Sequence, residues 1–235
     1  MNRARHWKRR LALAGLWALA TTGLAQTRGP GVLINELPRY GGGRKTKALL
    51  KLDQAFLADC DQRYPSRDSA ARAMLAFGWR YLHQQDYATA MKRFNQAWLL
   101  DSTNANVYRG FGVLCGVQQR YDASVYFLER SRQGGVQDAA LLGDLGNTLL
   151  RRYDQLHIPA DLRRSIGYLE EAAAAAGPQS PQAAAAYTNL TLAYYRRQEY
   201  ARAWEYAEKA EAIDARTLPP GLLSALQQAM PRPIR

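Results

Sequence analysis

The sequence predicts an all-α protein: a solenoid of four helix pairs, preceded by a leading helix and closed by a trailing capping helix. Large and small residues recur with a period of 34 through the middle of the chain, the mark of a stacked repeat. Within each period the apolar residues fall into two stripes at spacings of three and four, separated by a polar turn. Each period is therefore a pair of amphipathic helices. The composition agrees with a packed core, since 47% of the 235 residues are apolar and 22% charged, with 18 glycines and 10 prolines. Such a chain is not collagen-like, disordered or stapled by disulfides. Two cysteines exclude a multi-cysteine zinc site, and three histidines leave little for any other metal cluster.

The first element is not part of the fold. Met1–Arg10 carries Arg3, Arg5, Lys8, Arg9 and Arg10 and no acid, and the apolar run Leu11–Ala25 ends in small residues. A basic start, an apolar stretch and a small-x-Ala end read as a secretory signal, residues 1–25, cleaved before Gln26. The run is short for a membrane span of roughly 20 residues, and an uncleaved signal anchor is the alternative reading. The rest of the chain is then exported, periplasmic or secreted, with no stable membrane span. Losing five basic residues takes the formal charge from +12 to +7. That excess inclines the surface towards anionic partners, but no run of five or six Lys/Arg remains.

Residues 26–44, with Gly29-Pro30-Gly31 and Gly41-Gly42-Gly43, read as an extended or mobile lead-in. Tyr40–Thr46 superficially suggests a phosphate loop after the strand-like 32–37. Arg44 separates Gly43 from Lys45, however, and Pro38 stands where the first glycine belongs. The leading helix spans 45–64, with Leu49, Leu52, Phe56, Cys60 and Tyr64 on one stripe and Pro65 as its stop.

The repeats follow. In Ala71–Asn104, counted from Ala71, Met74, Phe77, Gly78 and Tyr81 hold places 4, 7, 8 and 11, and Tyr87, Ala90, Phe94 and Ala97 hold places 17, 20, 24 and 27. The second unit, 105–138, places Tyr108, Phe111, Gly112, Cys115, Tyr121, Ser124, Leu128 and Ser131 in the same register. The third, 139–179, starts in register with Leu142, Leu145, Gly146 and Leu149. Its second helix comes seven residues late, so an insertion of roughly 153–159 is expected at the turn inside the pair. The fourth, 184–217, follows the breaker Gly177–Pro181 and carries Tyr187, Leu190, Tyr194, Tyr200, Ala203, Ala207 and Ala210, with Thr191 in place of the glycine. Residues 218–230 supply a capping helix, because an end repeat otherwise leaves an apolar face in water.

These places resemble the tetratricopeptide repeat (TPR) closely over about two-thirds of the chain beyond the signal. Ser102 departs from the proline of that pattern. The stretch Thr89–Trp98 is similar to exported bacterial TPR proteins of unassigned role. The resemblance implies a right-handed superhelix, scaffolding or peptide binding, and neither catalysis nor a cofactor.

In such a stack the first helices line the concave side. Places 2, 5, 9, 12 and 13 offer Arg72, Trp79 and His83 from the first unit, Asn106 and Arg109 from the second, Asn147 and Arg151 from the third, and Tyr195 and Arg196 from the fourth. Aromatic anchors, arginine forks for carboxylates and asparagines for peptide backbone suit a protein or an extended peptide. Leu75 and Val113 also fall there, where packing on a neighbouring helix is the competing role. The carboxylate clamp of some TPR proteins is not supported: Asn147 and Asn189 are placed for it, but its basic members are missing.

No Gly-x-Ser-x-Gly occurs, and only His83 and His157 lie beyond the signal, so no nucleophile–base constellation forms. Cys60 and Cys115 sit on apolar stripes, as small hydrophobes do. The expectation is an exported adaptor that binds protein or peptide in its groove, needs no cofactor and takes no nucleic acid. A structural subunit docking through the convex face or the inserted turn is the alternative, with a binder of anionic envelope polymers behind it. The oligomeric state is left open.

Overall fold

The computed structural model describes residues 33–233; the expected signal, residues 1–25, and the start of the lead-in lie outside the described residues. Ten helices follow one another: α1 (Lys47–Arg63), α2 (Arg67–His83), α3 (Tyr87–Leu100), α4 (Ala105–Val117), α5 (Tyr121–Gln133), α6 (Ala139–Leu156), α7 (Pro159–Ala175), α8 (Pro181–Arg196), α9 (Tyr200–Ile213) and α10 (Pro220–Ala229). No strand occurs among the described residues. The protein is an all-α helical-repeat solenoid, with α2–α3, α4–α5, α6–α7 and α8–α9 as its closely packed pairs.

Local chemistry sets the helix ends. Thr46, Ser66, Asp86, Asn104, Asp138 and Ser180 each accept a hydrogen bond from a backbone N–H of the first turn, satisfying donors that the helix itself leaves open. Proline opens α7, α8 and α10, where its missing N–H costs nothing. Inside each pair one left-handed residue reverses the chain: Gln85, Gln119, His157 and Gln198, at φ 61°, 59°, 53° and 63°.

The insertion of the third unit does not form a loop. It lengthens the helices, so that α6 has 18 residues against 13 in α4 and α7 has 17 against 13 in α5. Arg151–Leu156 contains no helix breaker; the reversal comes only at His157, just before Ile158-Pro159, where proline disfavours helix in the residue ahead of it. Arg152 ties the extension down: it donates to Asp161 at 2.6 and 2.7 Å and to Asp122 of α5 at 2.9 Å.

Each pair closes through a matched couple at places 8 and 24. A Cβ on Gly78 would lie 2.3 Å from Phe94 Cε1, one on Gly112 2.6 Å from Leu128 Cγ, and one on Gly146 2.5 Å from Leu169 Cγ. In the fourth pair the volumes trade sides: the buried Thr191 holds place 8 and the buried Ala207 place 24. A cluster built on Phe94, Phe111 and Phe127 fills the first two pairs, and a second with Leu169, Leu190, Tyr194 and Trp204 fills the last two. Successive first helices touch (α2 with α4, α4 with α6, α6 with α8), while successive second helices meet less. The stack therefore curves with its first helices inside.

The leading flank departs from expectation. Only Cys60 of α1 is buried, and Leu52, expected on the packed stripe, is 65% exposed. α1 packs on the core through Phe56, Leu57 and Cys60 of its second half. The described part of the lead-in is not extended: Ile34–Glu36 and Pro38–Gly42 form two 3₁₀ turns docked on α3. At the other end α10 buries Leu226, and the Trp204 indole N–H donates to Met230 O at 3.0 Å.

Candidate functional site

The inner face carries the predicted groove residues on α2, α4, α6 and α8. Trp79 presents its ring edge-on to Phe94, centroids 5.5 Å apart, and the Arg109 guanidinium lies 5.6 Å from the Trp79 centroid. Arg109 Nε donates to Asp144 Oδ2 at 3.0 Å, and its terminal nitrogen stands 3.7 Å from Asp138. Three successive first helices are thus linked as Trp79, Arg109 and Asp144. Burial pushes the Asp144 carboxyl above the usual carboxylate range, against the pull of Arg109.

The arginines expected to receive carboxylates are for the most part occupied. Arg72 pairs with Asp68 at 2.6 Å along its own helix, and Arg196 Nε donates to Asp154 of α6 at 2.8 Å. Tyr195 leans on Tyr200, centroids 5.7 Å apart. His83 and Asn106 are exposed at the end of α2 and the start of α4. Neither joins the other predicted residues.

Asn147 and Arg151 do come together. They line a cleft of about 320 Å³ between α4 and α6, with Val113, Gly116, Val117, Gln119, Tyr121, Asp144 and Thr148. Arg151 is exposed and has no acidic partner among the described residues. The cleft joins aliphatic walls, a carboxamide that can donate and accept, and an open guanidinium. Those are the groups that hold a peptide backbone and a carboxylate. Its floor includes Thr148, hydrogen-bonded to Ser124 at 3.1 Å.

Sequence reasoning missed the acids. Asp144, Asp138 and Asp154 decide which arginines are open, and the pattern was available: Arg at place 5 of the second unit stands against Asp at place 6 of the third. Among the described residues no group of three or more His, Cys, Asp or Glu side chains could hold a metal, and no helix is long and apolar enough to cross a membrane. Cys60 and Cys115 are both free and buried, and burial pushes the Cys115 thiol up to about 11.

No protein-family model matches the chain, and no curated protein matches it. Among solved structures the chain is similar to PilF of Pseudomonas aeruginosa, with a TM-score of 0.58 and 20% identity over 70% of this chain and 69% of that one. It also resembles YrrB, described as a TPR protein with an unusual peptide-binding site, at a TM-score of 0.39 and 22% identity over 75% of this chain and 98% of the other. For the APC/C Cut9–Hcn1 hetero-tetramer the values are 0.38 and 17%, over 78% and 44%. The likeness to PilF is one of fold: it agrees with a helical-repeat solenoid, whose 34-residue register resembles the TPR pattern.

Proposed function

We propose that the protein is an exported TPR adaptor that holds an extended segment of a partner protein along its inner face, with the cleft between α4 and α6 as the anchoring point. One observation carries this reading: Asn147 and Arg151 share a cleft of about 320 Å³ with Val113 and Val117, and Arg151 has no acidic partner among the described residues. A side-chain or terminal carboxylate meets an open guanidinium there, while the carboxamide pairs with peptide backbone. Export rests on the basic and apolar pattern of Met1–Ala25.

The test is a cross-linked pull-down from the native organism, comparing the wild-type chain with an Asn147→Ala/Arg151→Ala variant. Both side chains reach the cleft without supporting a helix, so the variant keeps its fold. Substituting Trp79, Arg109 or Arg196 would instead break packing or ion pairs. A partner captured by the wild type and lost in the variant supports the groove. Equal capture by both chains would move the binding surface elsewhere. A second reading, docking through the α6–α7 knuckle, draws support from Leu156 and Ile158, 50% and 40% exposed on either side of His157.

A further inference from the structure

The outer face of the stack repeats a polar rung that the first joint lacks. At place 25 the second helices carry Asn95, Glu129, Glu170 and Glu208; at place 23 the last three units carry Phe127, Tyr168 and Tyr206. The Tyr168 hydroxyl donates to Glu129 at 2.7 Å, joining α5 to α7. The Tyr206 hydroxyl reaches Glu170 at 3.4 Å, joining α7 to α9. Burial raises the Tyr168 hydroxyl above its ordinary range, and its hydrogen bond to Glu129 adds to the effect. Between α3 and α5 the same two places hold an amide and a ring without a hydroxyl. No rung can form.

That joint holds a segment of chain instead. Asn95 is fully buried; its Nδ2 donates to Asn35 O and Leu37 O, both at 2.9 Å, and its Oδ1 accepts from the Tyr40 N–H at 3.4 Å. Glu36 stands 3.7 Å from Lys92, Pro38 is buried, and the Arg39 guanidinium lies 5.7 Å from the Phe127 centroid. A carboxamide reading backbone, an ammonium on an acid and an aromatic face under a guanidinium make a complete short-peptide site.

The resident segment fits this site at a cost. To return into α1 it turns left-handed at four consecutive residues, including Arg39 at φ 52° and Tyr40 at φ 56°, a conformation that residues with a Cβ avoid. Asn35 Oδ1 and Arg39 Nε are buried without hydrogen-bond partners. A segment from another chain needs no such return turn.

We propose that the joint between α3 and α5 is a second peptide site, on the face opposite the groove. It is specific for a short segment with an acid, a proline and an arginine placed as in Glu36, Pro38 and Arg39, and a partner segment of that chemistry exchanges with the chain's own strap. Tethering keeps the strap at high effective concentration, so exchange is visible once the tethered form is weakened.

The test uses the full chain and a synthetic peptide with the sequence of residues 33–40. Tyr40→Pro forbids the left-handed return turn, because proline fixes φ near −65°; it also removes the N–H that donates to Asn95 Oδ1, and leaves the side chains of Asn95, Lys92 and Phe127 in place to receive the peptide. Hydrogen exchange should show residues 33–39 released in this variant, and the peptide should bind it one-to-one. Adding Asn95→Glu and Phe127→Tyr installs the rung of the other joints and should weaken peptide binding at least tenfold. If circular dichroism shows that this variant has lost helix, Asn95→Ala in the Tyr40→Pro background takes its place with the same expectation. A released strap without peptide binding overturns the proposal. So does a strap still protected in Tyr40→Pro, or peptide affinity indifferent to position 95.

Discussion

The first and fourth helix pairs solve the same packing problem with opposite volumes. In the first, Gly78 leaves room for Phe94; in the fourth, Thr191 is matched by Ala207. What the repeat preserves is the combined volume of places 8 and 24, because a close-packed interior tolerates neither a void nor an overlap. The outer faces differ too. The fourth pair shows a stack of Tyr187, Tyr206 and Tyr194, with centroid spacings of 6.0 and 5.4 Å, whereas the first is covered by the strap. A departure that stays balanced within a pair is packing. The unbalanced departure, Asn95 with Phe127, marks a place where something else docks.

The comparison breaks most severely at Phe94. Phe94→Ala opens a cavity against Gly78 and Gly110 and should cost about 3–5 kcal/mol in urea unfolding. A loss below about 1 kcal/mol would mean that the ring is not what holds α2, α3 and α4 together. Gly78→Ala puts a methyl 2.3 Å from a ring atom and should cost about 1–3 kcal/mol, much of it returned when Phe94→Leu is added. If the two changes are simply additive, the matched-volume argument fails.

Smaller effects sharpen the contrast. Gly167 lies inside α7 with nothing within 4 Å of an added Cβ, so Gly167→Ala should stabilise the array by about 0.5–1 kcal/mol, read as a raised urea midpoint. Thr191→Ala exchanges a hydroxyl bonded to Tyr187 O, at 2.9 Å in its own helix, for better helix propensity. The void it leaves beside Ala207 should still cost about 1 kcal/mol in urea unfolding, and an unmoved midpoint would show that the fourth pair does not preserve the combined volume of places 8 and 24.

Acid separates the two faces by sign. Burial opposes ionisation of Glu129, but Tyr168, Arg132 and Arg164 hold its carboxyl below the usual range. Its stabilisation is complete above the ordinary carboxylate range and is lost as pH falls through its lowered value. Asp144 is shifted upwards by burial, so it costs stability at neutral pH, and that cost is relieved as pH falls from its raised value to the ordinary one. A carbon-detected carboxylate titration should find Asp144 protonating before Glu129 as pH is lowered. The reverse order would show that the inner-face acid is better served by Arg109 than its burial implies.

The four pairs were legible because their determinants are local: stripes within 34 residues, small residues at fixed places, caps and turns. The third unit's seven-residue delay could be read as an insertion, but not as added helix, since periodicity counts residues without saying whether they coil or loop. Groove positions were legible and groove availability was not. Arg196 is engaged by Asp154, 42 residues away, and Arg109 by Asp144, 35 away, so openness is decided between units. The strap was hidden for the same reason. Its glycines read as mobility, and the residue that immobilises it lies 60 positions downstream. Only a comparison of place 25 across the units singles out Asn95.

That separation also fixes an order of events as the chain is made. The strap emerges from the ribosome before α3 exists, and before the Phe127 ring under Arg39 has been added to α5. Its backbone partner Asn95 comes with α3, but the dock is incomplete until α5 has supplied the Phe127 ring. Ordering of this segment therefore follows α3 and is completed only with α5. A nascent chain stalled before Phe127 would still present residues 33–42 to whatever receives newly made protein.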